Sequence, residues 1–128
     1  MQILTPYISK RDERGGFLGI TQEPWAEVNF IETTAQQVRG NHYHKETREL
    51  FFIVSGEVDV VVDDLRSGEH VEASFSKGDI FIIEPYELHA FHTRTDAQWI
   101  NMLSKPLDQD KPDFHHVATV GTLKSAQQ

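Results

Sequence analysis

Four side chains in the sequence have the type and spacing to do chemistry together. His42 and His44 sit one residue apart in RGNHYHKETRELFFIVSG, and Glu49 follows five positions later. In an extended segment alternate residues point to the same face. The two histidine α-carbons would then stand about 6.6 Å apart, at a rise of roughly 3.3 Å per residue. Imidazoles at that spacing can converge on one ion with nitrogen–metal distances of about 2.1 Å. Tyr43 would point away. Glu49 opens the next apolar run, and if that strand lies beside the first its carboxylate becomes a third ligand. His89, in KGDIFIIEPYELHAFH, is the fourth candidate. It shares a face with Phe91, whereas His92 points the other way. A mixed nitrogen and oxygen set suits Zn, Fe, Mn, Ni or Cu. Without a metal, His42 and His44 become acid–base candidates instead.

The elements that must position these groups read as β-strands. No long run carries apolar residues at helical spacing. WAEVNFIE alternates from Trp25. EVDVVVDD places Val58, Val60 and Val62 on one face, and HVEASF does the same with Val71, Ala73 and Phe75. DIFIIE, LHAFHT and QWINMLS supply further strands. The separators SG, DDLRSGE and SKGD are hairpin or loop signals. Many short strands at this spacing predict an all-β, antiparallel sandwich or barrel. Two strands are apolar on both faces: Phe51 and Ile53 oppose Leu50, Phe52 and Val54, and Ile80 and Ile82 oppose Phe81 and Ile83. Such strands need cover on their outer side. The cover is either a second layer of the same chain or the second subunit of a homodimer.

Bulk properties narrow the function. The 128 residues suit one domain, expected over 1–118 with a polar tail at 119–128. With no cysteine, disulfides and thiolate metal sites are excluded. The net charge of −8 argues against a nucleic-acid partner. No stretch approaches the roughly 20 apolar residues of a membrane span, and no signal peptide is evident. A cytoplasmic location is the expectation.

At these residues the chain resembles a cupin, a single-domain double-stranded β-helix or jelly-roll barrel. HYHKETRELFFIVSG is similar to the first cupin motif, with His42, His44 and Glu49 at ligand positions and Gly56 at the closing turn. GDIFIIEPYELH is similar to the second, with Gly78 and His89 in place. Glu84 and Tyr86 stand where that motif carries proline and glycine. A narrower resemblance rests on DERGGFLGI, WAEVNFI, RGNHYHKETRELFFIVSG and PLDQDKPDFHHV. These are similar to the C-terminal cupin domain of bifunctional capsular-polysaccharide UDP-sugar epimerase/reductases. DERGGF also resembles dTDP-sugar 3,5-epimerases, and RGNHYHK resembles dTDP-sugar 3,4-ketoisomerases.

The resemblance implies an isomerase of surface-polysaccharide sugar synthesis. It would epimerise the carbon beside the ketone of a nucleotide-linked 4-keto sugar. The implied cofactor is a divalent metal on His42, His44, Glu49 and His89, with Zn as the leading candidate and Fe, Mn or Ni as alternatives. Arg14, Arg39, Lys45 and Arg48 are candidates for substrate contacts, Arg14 and Arg39 for the diphosphate. Tyr86 is a candidate proton donor or acceptor beside His42 and His44. A histidine nitrogen bound to metal cannot also take a proton, so a metal-loaded site needs another base. A separate reductase is a further partner that the resemblance implies, and the strands apolar on both faces make a homodimer the expected assembly. Three other functions fit the same residues: a metal-free 3,4-ketoisomerase, a metal-dependent cupin oxygenase and a non-catalytic sugar-binding module.

Overall fold

The structure is a computed structural model that describes residues 1–117; the expected tail at 119–128 lies outside the described residues. Eleven strands run β1 (Gln2–Leu4), β2 (Ile8–Asp12), β3 (Gly15–Gly19), β4 (Glu27–Thr33), β5 (Val38–His42), β6 (Glu49–Ser55), β7 (Val58–Asp64), β8 (His70–Phe75), β9 (Ile80–Ile83), β10 (Glu87–Thr93) and β11 (Ala97–Leu103). Among the described residues there is no helix, and so none long and apolar enough to cross a membrane. One sheet has the order β1-β9-β6-β11-β4 and the other β5-β10-β7-β8, while β2 and β3 form a separate hairpin. Every pairing between these strands is antiparallel. Consecutive strands β5 and β6 fall in different sheets, as do β6 and β7, which is the crossing pattern of a jelly roll.

The core is the space between the two sheets. Phe51, Ile53, Phe81, Ile83 and Trp99 come from one, and Val58, Val60, Val62, Phe75 and Phe91 from the other. The alternation in β7 therefore faces as predicted, with its three valines fully buried. Phe81 stacks on both Phe51 and Phe75, with centroids 5.2 and 4.2 Å away. Between β6 and β7 the chain turns at Gly56, whose φ is +87°. A Cβ there would stand 2.2 Å from the Asp96 carbonyl oxygen, so only glycine fits.

The strands that are apolar on both faces find much of their outer cover within the chain. Leu50, Ile80 and Ile82 are buried there against Leu4, Ile20, Trp25, Phe52 and Met102. The cover stops short of β4, the sheet's edge strand. Its outward residues Val28 and Phe30 are 60% and 58% exposed.

Candidate metal centre

Strand register accounts for the first pair of site residues. His42 at the end of β5 lies directly opposite His89 of β10, and their ring centroids are 4.7 Å apart. A register shift between His89 and Ala90 is matched on β5 by Gly40, with φ +88°. A Cβ on Gly40 would meet the His89 carbonyl oxygen at 2.9 Å, so glycine lets the strands close at the site. His44 lies just past the end of β5 and remains on the same side, with its centroid 4.9 Å from that of His42.

Glu49 arrives by a different route from the one the sequence suggested. Its strand does not lie beside β5. Residues 45–48 carry the chain across to the other sheet, so Glu49 reaches the histidines over the interior of the barrel. Its Oε1 is hydrogen-bonded to His44 Nε2 and lies 3.4 Å from His89 Nε2. The four residues are all buried, and one donor atom from each falls within 4.8 Å of the others. Two ligands at about 2.1 Å from one ion can be no more than about 4.2 Å apart. In a tetrahedral set they stand about 3.4 Å apart, so the widest separations in the cluster would close by up to about 1.4 Å around a divalent cation, and the buried carboxylate supplies the negative charge such an ion requires.

Hydrogen bonds fix the orientation of these groups. His44 Nδ1 donates to the Asp113 carbonyl oxygen at 2.6 Å, which leaves Nε2 facing Glu49. His89 Nδ1 donates to the Glu87 carbonyl oxygen at 2.8 Å. Asn101 Nδ2 donates to Glu49 Oε2 at 2.8 Å, which turns Oε1 toward the histidines. Partners of this kind set tautomer and basicity where such side chains hold a metal. The same contacts set the charge states of the cluster. Burial, with charge on His89 and His44, lowers His42 to about 3 and keeps it neutral. Burial opposes charge on His44 too, but the Glu49 carboxylate beside it wins and raises its pKa. Burial works against ionisation of Glu49, yet hydrogen bonds from His44 and His89 hold its pKa well below the usual carboxylate range.

The cluster opens onto a cavity of about 340 Å³ between the sheets. His42, Glu49 and His89 form one wall, Phe51, Phe91 and Trp99 supply apolar surface, and Glu27, Asn29 and Asn101 are polar. A strap formed by residues 104–117 closes one side. Its Phe114 stacks on the His42 ring with centroids 4.8 Å apart. The carboxylate of Asp113 accepts from the backbone N–H groups of Lys45, Glu46 and Thr47 and from the Thr47 hydroxyl, at 2.8–3.1 Å.

The structure brings Arg39 to this cavity but not the other cationic candidates. Arg39 borders it, donating to Thr33 Oγ1 at 2.7 Å and to the Glu32 carbonyl oxygen at 3.2 Å. Among the described residues it forms no ion pair, so its charge is available to an anionic ligand. Arg14 is paired with Asp12 on the β2–β3 hairpin, outside the cavity wall. Arg48 is held by Glu23 and Glu84 and lies over the Trp25 ring. Lys45 is exposed in the loop that Asp113 caps. Tyr86 also stands outside the cavity wall, against Tyr43 and the Arg66 guanidinium. It adopts φ +66°, the conformation that glycine supplies in the second cupin motif.

Sequence reasoning did not single out Glu27, Asn29, Asn101, Asp113 or Phe114. Glu27 and Asn29 carry the one usable signal: they are the polar half of an alternating strand whose apolar half proves to face outward.

Residues 10–115 match the model of the polysaccharide biosynthesis C-terminal domain. The chain belongs to that family. No curated protein matches it. Among solved structures, this domain is similar to the capsular polysaccharide assembling protein CapF from Staphylococcus aureus, at 23% identity and a TM-score of 0.68, over 88% of this chain and 34% of that one. It thus spans about a third of the length of CapF. It is similar to a dTDP-4-dehydrorhamnose 3,5-epimerase from Sulfolobus tokodaii, at 22% identity and a TM-score of 0.70, over 80% of this chain and 69% of that one. A third likeness is to QdtA, a sugar 3,4-ketoisomerase from Thermoanaerobacterium thermosaccharolyticum solved with TDP. It has 15% identity and a TM-score of 0.75, over 91% of this chain and 89% of that one. These likenesses establish the cupin-type jelly-roll fold of this member of the polysaccharide biosynthesis C-terminal domain family.

Proposed function

We propose that this domain is a metal-containing isomerase that epimerises the carbon beside the ketone of a nucleotide-linked 4-keto sugar during polysaccharide synthesis. The observation that carries the reading is the buried cluster of His42, His44, Glu49 and His89 facing a cavity bordered by Arg39, which forms no ion pair among the described residues. Family membership supplies the metabolic setting. Two structural neighbours, the 3,5-epimerase and the 3,4-ketoisomerase, suggest the reaction class. The ketoisomerase was solved with TDP, which suggests the nucleotide end of the ligand.

Removing a proton beside a ketone creates an enolate, so the site must remove a proton and accept charge on the oxygen. A bound divalent cation, Zn first among the candidates, would supply Lewis acidity and positive charge to such a site. His42, His44, Glu49 and His89 would hold it, with Asn101, Asp113 and Glu87 fixing three of the four. Arg39 attracts the diphosphate at the cavity edge. Phe51, Phe91, Trp99 and Phe114 enclose the sugar and keep water away from the enolate. The ketone survives the reaction, so any later reduction is a distinct step that needs a reductase site. A second copy of this chain is the proposed cover for Val28 and Phe30, because an apolar edge strand is a ready pairing surface.

The test is deuterium incorporation in heavy water at the carbon beside the ketone, across UDP- and dTDP-4-keto-6-deoxy sugars. It is run together with metal analysis of the wild type and of Glu49→Ala. We expect exchange with at least one sugar, near-stoichiometric metal in the wild type, and little metal in the variant. Absence of exchange by the metal-loaded protein across the whole panel would overturn the reading.

A further inference from the structure

If His42, His44, Glu49 and His89 hold a metal, none of them is free to take the substrate's proton. The geometry points to Glu27 as the general base of this domain, an assignment that rests on the epimerase reading. Of the titratable groups that the described residues bring to the cavity wall, only Glu27 and Arg39 lie outside the ligand set, and a guanidinium cannot act as a base.

Strand register places Glu27 where a base is needed. Leu103 of β11 pairs with Glu27 of β4 on one side and with Glu49 of β6 on the other. The two glutamates therefore stand in one row, two strands apart. Their α-carbons are roughly 10 Å from each other, at about 4.8 Å per strand. Both line the same cavity of about 340 Å³, so a ligand in it is within reach of the histidine cluster and of the Glu27 carboxylate. The two carboxylates are also tied together. Asn101 donates to Glu49, and Asn29 donates to both Asn101 and Glu27, at 3.3 and 2.9 Å. Glu27 Oε1 accepts from the Leu107 N–H of the strap at 2.9 Å. A carboxylate has about four lone-pair directions, so two donors leave room for a proton. The Leu107 N–H and then the Asn29 amide lower its pKa, which keeps it ionised and ready at neutral pH.

In the step, the carbon–hydrogen bond beside the ketone breaks and its proton goes to Glu27, forming the neutral acid. The bonding pair becomes the enolate double bond, and the carbonyl pair moves onto oxygen. The reverse movement, with a water-derived proton delivered to the opposite face, gives the epimer. Glu27 is half-exposed, so its proton exchanges with solvent between turnovers. His116 is the nearest competitor, with its ring centroid 6.5 Å from that of His42, but it is exposed and absent from the cavity wall.

The experiment compares deuterium wash-in by metal-loaded wild type, Glu27→Gln, Glu27→Asp and His116→Gln on a sugar that the wild type exchanges. Metal content, UDP binding and melting temperature are measured for each. We expect Glu27→Gln to lose about 10²- to 10⁴-fold in exchange rate, through kcat and not KM, with metal and UDP binding unchanged. Glu27→Asp, folded and still carrying a carboxylate, should keep measurable exchange, and His116→Gln should match the wild type. Wild-type exchange by Glu27→Gln overturns the assignment and leaves the epimerase reading standing, as does loss confined to His116→Gln. A wild type that exchanges no sugar overturns both.

Discussion

Replacing Asp113 with alanine removes the carboxylate that pins the strap to the loop after β5. Three backbone N–H groups and the Thr47 hydroxyl donate to it, and His115 Nε2 lies 2.8 Å from its Oδ1. Burial opposes ionisation, but the N–H groups of Lys45 and Glu46 and the His115 ring more than offset it, lowering the pKa from 3.8 to about 2. At about 1.4 kcal/mol for each tenfold change in proton affinity, that corresponds to about 2 kcal/mol of folding stability at neutral pH. Thr47 is buried and loses its partner, whereas the Lys45 and Glu46 N–H groups can turn to water, so about 2–3 kcal/mol is the expected total. Because the folded pKa is depressed, this stability is present above the unfolded value near 4 and disappears as pH falls toward 2. Urea unfolding of metal-free wild type and Asp113→Ala at pH 7, 4 and 2 measures the difference directly. The gap should be about 2–3 kcal/mol at pH 7 and should narrow through the acid range. A gap below about 0.5 kcal/mol at pH 7, or one that stays constant down to pH 2, refutes the reasoning.

Two further perturbations probe the site and the sheet edge. Asn101→Leu leaves the buried Oε2 of Glu49 without its donor, so stability should fall by about 1–3 kcal/mol. Metal affinity should fall roughly 10- to 100-fold, read by chelator competition; a change below about twofold contradicts the role given to Asn101. Phe30→Asp should convert the proposed dimer to a monomer in sedimentation, with stability altered by less than about 0.5 kcal/mol because the side chain already faces solvent. A dimer that survives the substitution would move the interface elsewhere.

Much of the barrel was legible because burial leaves a period of two in a strand. Val58, Val60 and Val62 announce their inward face, and the strands that are apolar on both sides announce cover on two faces. The same rule misleads at β4, where Val28 and Phe30 are the apolar half of the pattern but the polar half lines the cavity. A polar-lined cavity between the sheets inverts the usual relation between polarity and exposure. The HxH spacing and the nearby Glu49 were visible because their separations are short and their types are chemically specific. Asn101, which orients Glu49 from 52 residues away, and Asp113, which orients His44 from 69 residues away, carry no such mark. A single Asn or Asp looks like any loop or surface residue until the chain is closed.

The sequence by itself determined the all-β class, the alternation that builds the core, and the four side chains able to share an ion. Tertiary structure decided how they meet. It sent β5 and β6 to opposite sheets, so that Glu49 faces the histidines across the barrel instead of along one sheet. It also left Arg39 at the cavity while committing Arg14 and Arg48 to ion pairs with nearby acids. Which strands neighbour one another depends on long-range pairing, and local periodicity records only which way each residue faces.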